Sequence, residues 1–175
     1  MTLLDTDYSI EKLIKTGVDE GLKDVHTTIP ALVVSFNATT QLADVQPTIK
    51  RKLGDDIVNL PLLVDVPVRF MKSANFSVTI PIVAGDYVFV SFCERSIDKW
   101  LIDGGLQPAD NTRKHHLSDA FAFPMMFSQQ EKIVNFNATG LELRSTDGLT
   151  RIVLTPTGNI ELWGNVLING SPYVA

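Results

Sequence analysis

The chain has 175 residues, 45% hydrophobic and 20% charged, a composition that fits globular folding and excludes a disordered chain. Its net charge of −5 argues against a nucleic-acid binder, which needs a basic face to displace counterions. A single cysteine, Cys93, excludes an internal disulfide framework and a cysteine-based zinc cluster.

No apolar run approaches the ~20 residues of a membrane-spanning helix. The start, MTLLDTDYSIEK, has no basic stretch followed by an apolar one, so no secretory leader is expected. Residues 7–24 carry the one good helix pattern. Ile10, Leu13, Ile14, Val18 and Leu22 recur at three- and four-residue spacing on one face, and Asp5, Thr6 or Asp7 can cap the start. Gly17 and Gly21 each weaken such a helix by about 1 kcal/mol relative to Ala. It therefore either leans on a neighbour at the domain edge or offers its apolar face to a partner.

From His26 to Arg95 the pattern is strands. Two are joined by a turn at 37–40, others follow over 57–71 and 76–83, and the run YVFVSFC follows a tight turn at Gly85–Asp86. About five short strands suit a small barrel or sandwich. Pro47, Pro61, Pro67 and Pro81 mark edges, bulges or strand starts. Phe36, Phe70, Phe76, Phe89 and Phe92 alternate with other apolar residues and read as core packing. Residues 94–128 change to a long surface loop with a short amphipathic turn near 116–123.

The last stretch, GLELRSTDGLTRIVLTPTGNIELWGNVLING, alternates strictly between glycines. One parity is aliphatic: Leu141, Leu143, Ile152, Leu154, Ile160, Leu162, Val166 and Ile168. That is a strand pattern with one dry face. The segment is too small to bury that face on itself, and further copies of the same chain are the simplest cover.

No Walker loop, GxGxxG, HExxH or GxSxG is present. Arg113, His115, His116 and Asp119, with Glu94, Asp98 and Asp103 nearby in sequence, admit an acid–base or metal reading. Adjacent histidines point apart, and no nucleophile or third ligand converges on them. The cluster is read as a polar loop latch in which Asp119 caps a turn or pairs with Arg113. Cys93 lies in an apolar run and reads as a buried or half-buried thiol rather than a nucleophile. Lys50, Arg51 and Lys52 form a basic spot too small to bind a nucleic-acid backbone.

The stretch VTIPIVAGDYVFVSFCERSIDKWLIDGG followed by RKHHLSDAFAFP resembles the N-terminal domain of central baseplate spike proteins of contractile-tailed phages. The resemblance covers roughly residues 30–128. It implies an all-β fold with one N-terminal helix: an oligonucleotide/oligosaccharide-binding (OB) barrel followed by a short intertwined trimeric β-helix or β-prism. The implied division is a docking segment at 1–27, a barrel at 28–128, and a linker with spike shaft at 129–175. The implied role is structural and non-enzymatic: a homotrimer that caps the tail-tube hub and helps puncture the host envelope.

On that basis the eight aliphatic residues form the trimer core, and Ile10, Leu13, Ile14 and Val18 dock to the tail hub. Many relatives end in a His-x-His apex that binds iron. Nothing of that kind stands here, where SPYVA follows Gly170, so no cofactor is expected. A separate tip protein is expected to dock at Ile168, Ser171, Pro172, Tyr173 and Val174. The expected location is the virion baseplate, after synthesis in the host cytoplasm. Other expected partners are baseplate proteins and the host envelope, with no nucleic acid. The rival reading is an OB-type binding module for carbohydrate or single-stranded nucleic acid.

Overall fold

The computed structural model describes residues 9–124, 126–168 and 171–172. The chain divides into two compact units, Met1–Phe127 and Ser128–Ala175.

The first unit opens with helix α1 (Ile10–Leu22). The caps expected among Asp5, Thr6 and Asp7 lie outside the described residues. Ser9 holds the role instead, its side chain accepting from the Lys12 N–H at 3.2 Å. No residue of α1 is buried. Among the described residues nothing covers it, so the expectation that it leans on a neighbour is not met there.

The strands that follow are β1 (Thr28–Asn37), β2 (Leu42–Pro47), β3 (Arg51–Leu53), β4 (Asp56–Val58), β5 (Leu63–Pro67), β6 (Met71–Lys72), β7 (Ser77–Val78), β8 (Tyr87–Phe92) and β9 (Ala120–Phe123). A six-residue helix α2 (Asp98–Asp103) lies between β8 and β9. Five of the strands form one curled antiparallel sheet in the order β5-β2-β1-β8-β9. Its two edges meet at a parallel bridge, Val68 with Ala122, where the Arg69 N–H donates to the Ala122 carbonyl at 2.8 Å.

Period-two burial makes the core. Val33, Val45, Val66, Val88, Val90 and Ala122 point inward while their neighbours do not. The alternation slips once in β1, between Val33 and Ser35, and leaves Val34 exposed. Such a bulge increases local twist and helps the sheet curl. Asn37 builds the β1–β2 turn, its Oδ1 accepting from the Thr39 and Thr40 N–H groups.

Several local expectations change. The strand expected over 76–83 shrinks to Ser77–Val78, and the chain from 79 to 83 runs irregularly through Pro81, which has no N–H to donate. The turn expected near 116–123 forms at 116–119, where the Asp119 N–H donates to the His116 carbonyl at 3.0 Å, but 120–123 is strand β9; the long surface loop contains α2. Phe92 is buried, while Phe36 and Phe70 pack on the core edge. Phe89 is half-buried and tilts against Phe123. Phe76, by contrast, is 80% exposed and is no part of the core.

The second unit holds a 3-10 turn (Gln129–Glu131), then β10 (Leu141–Arg144), β11 (Arg151–Leu154) and β12 (Ile160–Trp163). The two-residue strands β13 (Leu167–Ile168) and β14 (Ser171–Pro172) follow. β10, β11 and β12 form an antiparallel meander in that order. The β11–β12 turn has Gly158 at φ 89°, a conformation that side chains with a Cβ resist. Gly140 is needed for closeness instead. A Cβ there would lie 2.8 Å from the Leu154 carbonyl oxygen and 3.2 Å from Val153 Cγ1.

Gly140→Ala is therefore expected to destabilise the second unit by about 1–3 kcal/mol through overpacking. Gly17→Ala, in open space on α1, should raise helix stability by about 1 kcal/mol. Thermal melts followed by circular dichroism of the full chain check both. Equal melting of Gly140→Ala and the parent would contradict the close-approach account.

Candidate functional site

Two features carry the chemistry of this chain, a buried ion-pair latch in the first unit and an uncovered aliphatic face in the second.

The latch ties the loop after β8 to the loop before β9. Arg113 Nε donates to Asp119 Oδ2 and its Nη2 to Asp119 Oδ1, both at 2.9 Å. Nη2 also reaches Asp98 Oδ2 at 2.6 Å and Ser96 Oγ at 3.2 Å. Asp119 is fully buried. It further accepts from the Ile97 N–H at 3.1 Å, and its own carbonyl accepts from the Cys93 N–H at 2.7 Å. A buried carboxylate survives only when paired and hydrogen-bonded, and both conditions are met.

Burial alone pushes the Asp119 carboxyl up. The Arg113 hydrogen bonds, the Ile97 N–H and the nearby Arg113 and His116 charges outweigh it and hold the group below the usual carboxylate range. Arg113 is held above its ordinary value, first by the hydrogen bond to Asp119 and then by that to Asp98. The pairing read from sequence is present, with Asp98 as an added partner. Glu94 instead sits 3.3 Å from Arg95 on the surface.

The two histidines of the cluster make separate contacts. His115 adopts φ 47°, and its carbonyl accepts from the His26 N–H. His116 Nδ1 accepts from the Ser118 N–H at 3.1 Å. Among the described residues no group of three or more His, Cys, Asp or Glu is placed to hold a metal ion. Cys93 is half-buried. Burial, then the Asp119 charge, push its thiol pKa up, away from a reactive thiolate.

The aliphatic face is set by strand register. Leu141 pairs with Leu154, which pairs with Ile160; Leu143 pairs with Ile152, which pairs with Leu162. Six of the eight residues expected in a trimer core thus form two cross-strand rows on one face. All six are between 44% and 69% exposed. Val166 lies outside the strands, and Ile168 belongs to the separate β13–β14 pair.

The opposite face is covered by the chain itself. Val153 is buried, Arg151 stacks on Trp163 at 4.0 Å, and Glu142 lies 3.8 Å from Arg144 and 3.9 Å from Arg151. The Arg144 guanidinium donates to the carbonyls of Val134 and Asn135.

On α1, Ile10, Leu13, Ile14 and Val18 share one exposed face. Of the residues expected to dock a tip, Tyr173 and Val174 lie outside the described residues, as do the side chains of Ile168, Ser171 and Pro172.

Sequence reasoning missed two arrangements. Arg69 lies over Phe121 at 4.7 Å and Trp100 at 5.9 Å, beside an apolar pocket lined by Phe70, Met71, Val78, Ile80 and Pro124. The Arg151–Trp163 stack was missed as well. Only the odd presence of Val153 and Trp163 on the polar parity of the tail hinted at a covered second face.

Residues 29–125, more than half of the chain, match the family model described as phage protein Gp138 N-terminal domain. No curated protein matches the chain.

Replacing Asp119 takes away the bidentate partner of Arg113 and leaves it Asp98 and Ser96 alone. Asp119→Asn is expected to cost about 3 kcal/mol at pH 7 in urea unfolding. Because the Asp119 pKa is depressed by folding, its contribution is present above the unfolded carboxylate value. It is lost as pH falls through the folded value. The gap between parent and Asp119→Asn should therefore narrow below about pH 4. A gap that stays constant down to pH 2 would contradict the charged-pair account.

Proposed function

We propose, from the premise that this chain belongs to the phage protein Gp138 N-terminal domain family, that it is the homotrimeric central spike of a contractile-tail baseplate. Three copies assemble about one axis. The barrels cap the tail-tube hub, with the apolar face of α1 as the docking element. The tail sheets close into a short shaft that is driven at the host envelope when the sheath contracts. A separately encoded tip protein completes the point at the far end of the shaft.

One observation carries the reading: the face of Leu141, Leu143, Ile152, Leu154, Ile160 and Leu162 is left open by the described residues of its own unit. Full burial of such a side chain is worth about 1.5–3 kcal/mol. Six that are already half-covered leave ~5–9 kcal/mol per chain to be gained by association, as an upper bound. That gain exists only in the assembly and depends on chain concentration.

The barrel topology supports the same reading. Five strands in the order β5-β2-β1-β8-β9, antiparallel throughout and brought together by one parallel bridge, support a small partly open barrel of the OB type. The latch supports a mechanical use, because it ties the loop after β8 to the loop before β9. Force comes from the sheath and rigidity from packing, so the role asks for no catalytic residue.

Native mass spectrometry of the full chain is expected to show a trimer, and the double variant Leu143→Asp/Ile152→Asp a monomer. A parent chain that is monomeric at micromolar concentration would overturn the proposal. If that monomer bound single-stranded nucleic acid or an oligosaccharide, a binding-module role would take its place.

A further inference from the structure

We infer that each chain supplies one complete wall of the shaft, with its three strands side by side, and that strands of different chains do not interleave. The inference rests on the trimer reading above. It departs from the intertwined β-helix that the sequence resemblance implies.

Strand β11 has no free edge. Four-residue ladders join it to β10 on one side and β12 on the other, both from its own chain. The connecting turns are closed locally. The Ser145 N–H donates to the Thr150 carbonyl at 2.9 Å, and the Thr155 N–H to the Asn159 carbonyl at 3.0 Å. Asp147 Oδ1 fixes the first turn by accepting from the Leu149 N–H. Turns of this length return the chain to the adjacent strand position. A strand from another chain would have to break a ladder to enter between them, and only the outer edges of β10 and β12 are left to pair along the shaft.

The wall therefore offers neighbours its one open face, and that face carries two aliphatic rows with no charge among them. A second copy presents the same surface, so like meets like across the axis. The dimensions agree. Three strands ~4.8 Å apart make a wall roughly 14 Å wide, and four residues at ~3.3 Å make it about 13 Å the other way. Three such walls in a triangle each stand roughly 4 Å from the axis, close to half the ~10 Å that separates packed sheets. Side chains of Leu and Ile size fill that space without leaving a channel.

The test places a cross-strand cysteine pair on the outer face of the full-length chain. Cys93→Ser removes the native thiol, and Val153→Cys with Glu161→Cys uses residues paired between β11 and β12. Arg144→Cys with Arg151→Cys, paired between β10 and β11, serves if the first pair does not fold. The trimer is confirmed by native mass spectrometry, oxidised with copper–phenanthroline in air and run under denaturing conditions. A disulfide within one chain, migrating as a monomer and mapped by peptide mass, is the expected result. Covalent dimers or trimers, or no disulfide in a folded trimer, would overturn the whole-wall arrangement while leaving the trimer standing. A chain that stays monomeric and floats with phosphatidylcholine vesicles takes lipid on this face instead, and overturns both readings.

Discussion

An apolar sheet face cannot stay in water, and the rest of this molecule depends on how that face is covered. In the second unit, the register of β10, β11 and β12 stacks Leu on Leu on Ile and Leu on Ile on Leu. The reverse side is already closed by Val153, by the Arg151–Trp163 stack and by Arg144 bonded to backbone carbonyls. One face is covered by its own unit, and the other is exposed; in the proposed assembly neighbouring copies cover it. A small three-stranded sheet is marginal alone. Association both stabilises it and removes a hazard for aggregation.

The first unit is held together differently. Its core is built mainly from Val and Ala in alternating positions of a curled sheet, and such small side chains leave little room to rearrange. The loops at one end are bound by the Arg113–Asp119 pair, with Asp98, Ser96 and the Ile97 N–H as further partners. Five polar groups thus fix two segments that lie far apart in sequence. The lone thiol, Cys93, sits beside this network with its pKa pushed up and adds no chemistry to it. Helix α1 stands outside this scheme. Its apolar residues are exposed, and among the described residues nothing buries them.

Much of this was legible in the sequence where the signal is local. Alternation with intervening glycines located β10 to β12 and their shared face, because period two is a property of neighbouring residues. The Arg113–Asp119 pair was legible from charge and spacing, and its reading as a loop latch agrees with the bidentate contact. Two short elements with no repeating pattern around them, β9 and α2, were not. The run AFAF of β9 follows two histidines and is too short to show a period, and α2 has only six residues. Contacts set by the tertiary fold were not legible either. Arg69, Trp100 and Phe121 come from three separated segments, and no local pattern foretells their stack. The cap at Ser9 was missed because Asp5, Thr6 and Asp7, of comparable capping strength, precede it.

The most direct measurement is a cryo-electron microscopy reconstruction of the purified particle's tail tip, at a resolution that traces strands. Three copies of this chain about one axis, with the rows of Leu141, Leu143, Ile152, Leu154, Ile160 and Leu162 turned toward it, is the predicted result. A single copy at that position, or three copies whose aliphatic rows face solvent, would contradict the account.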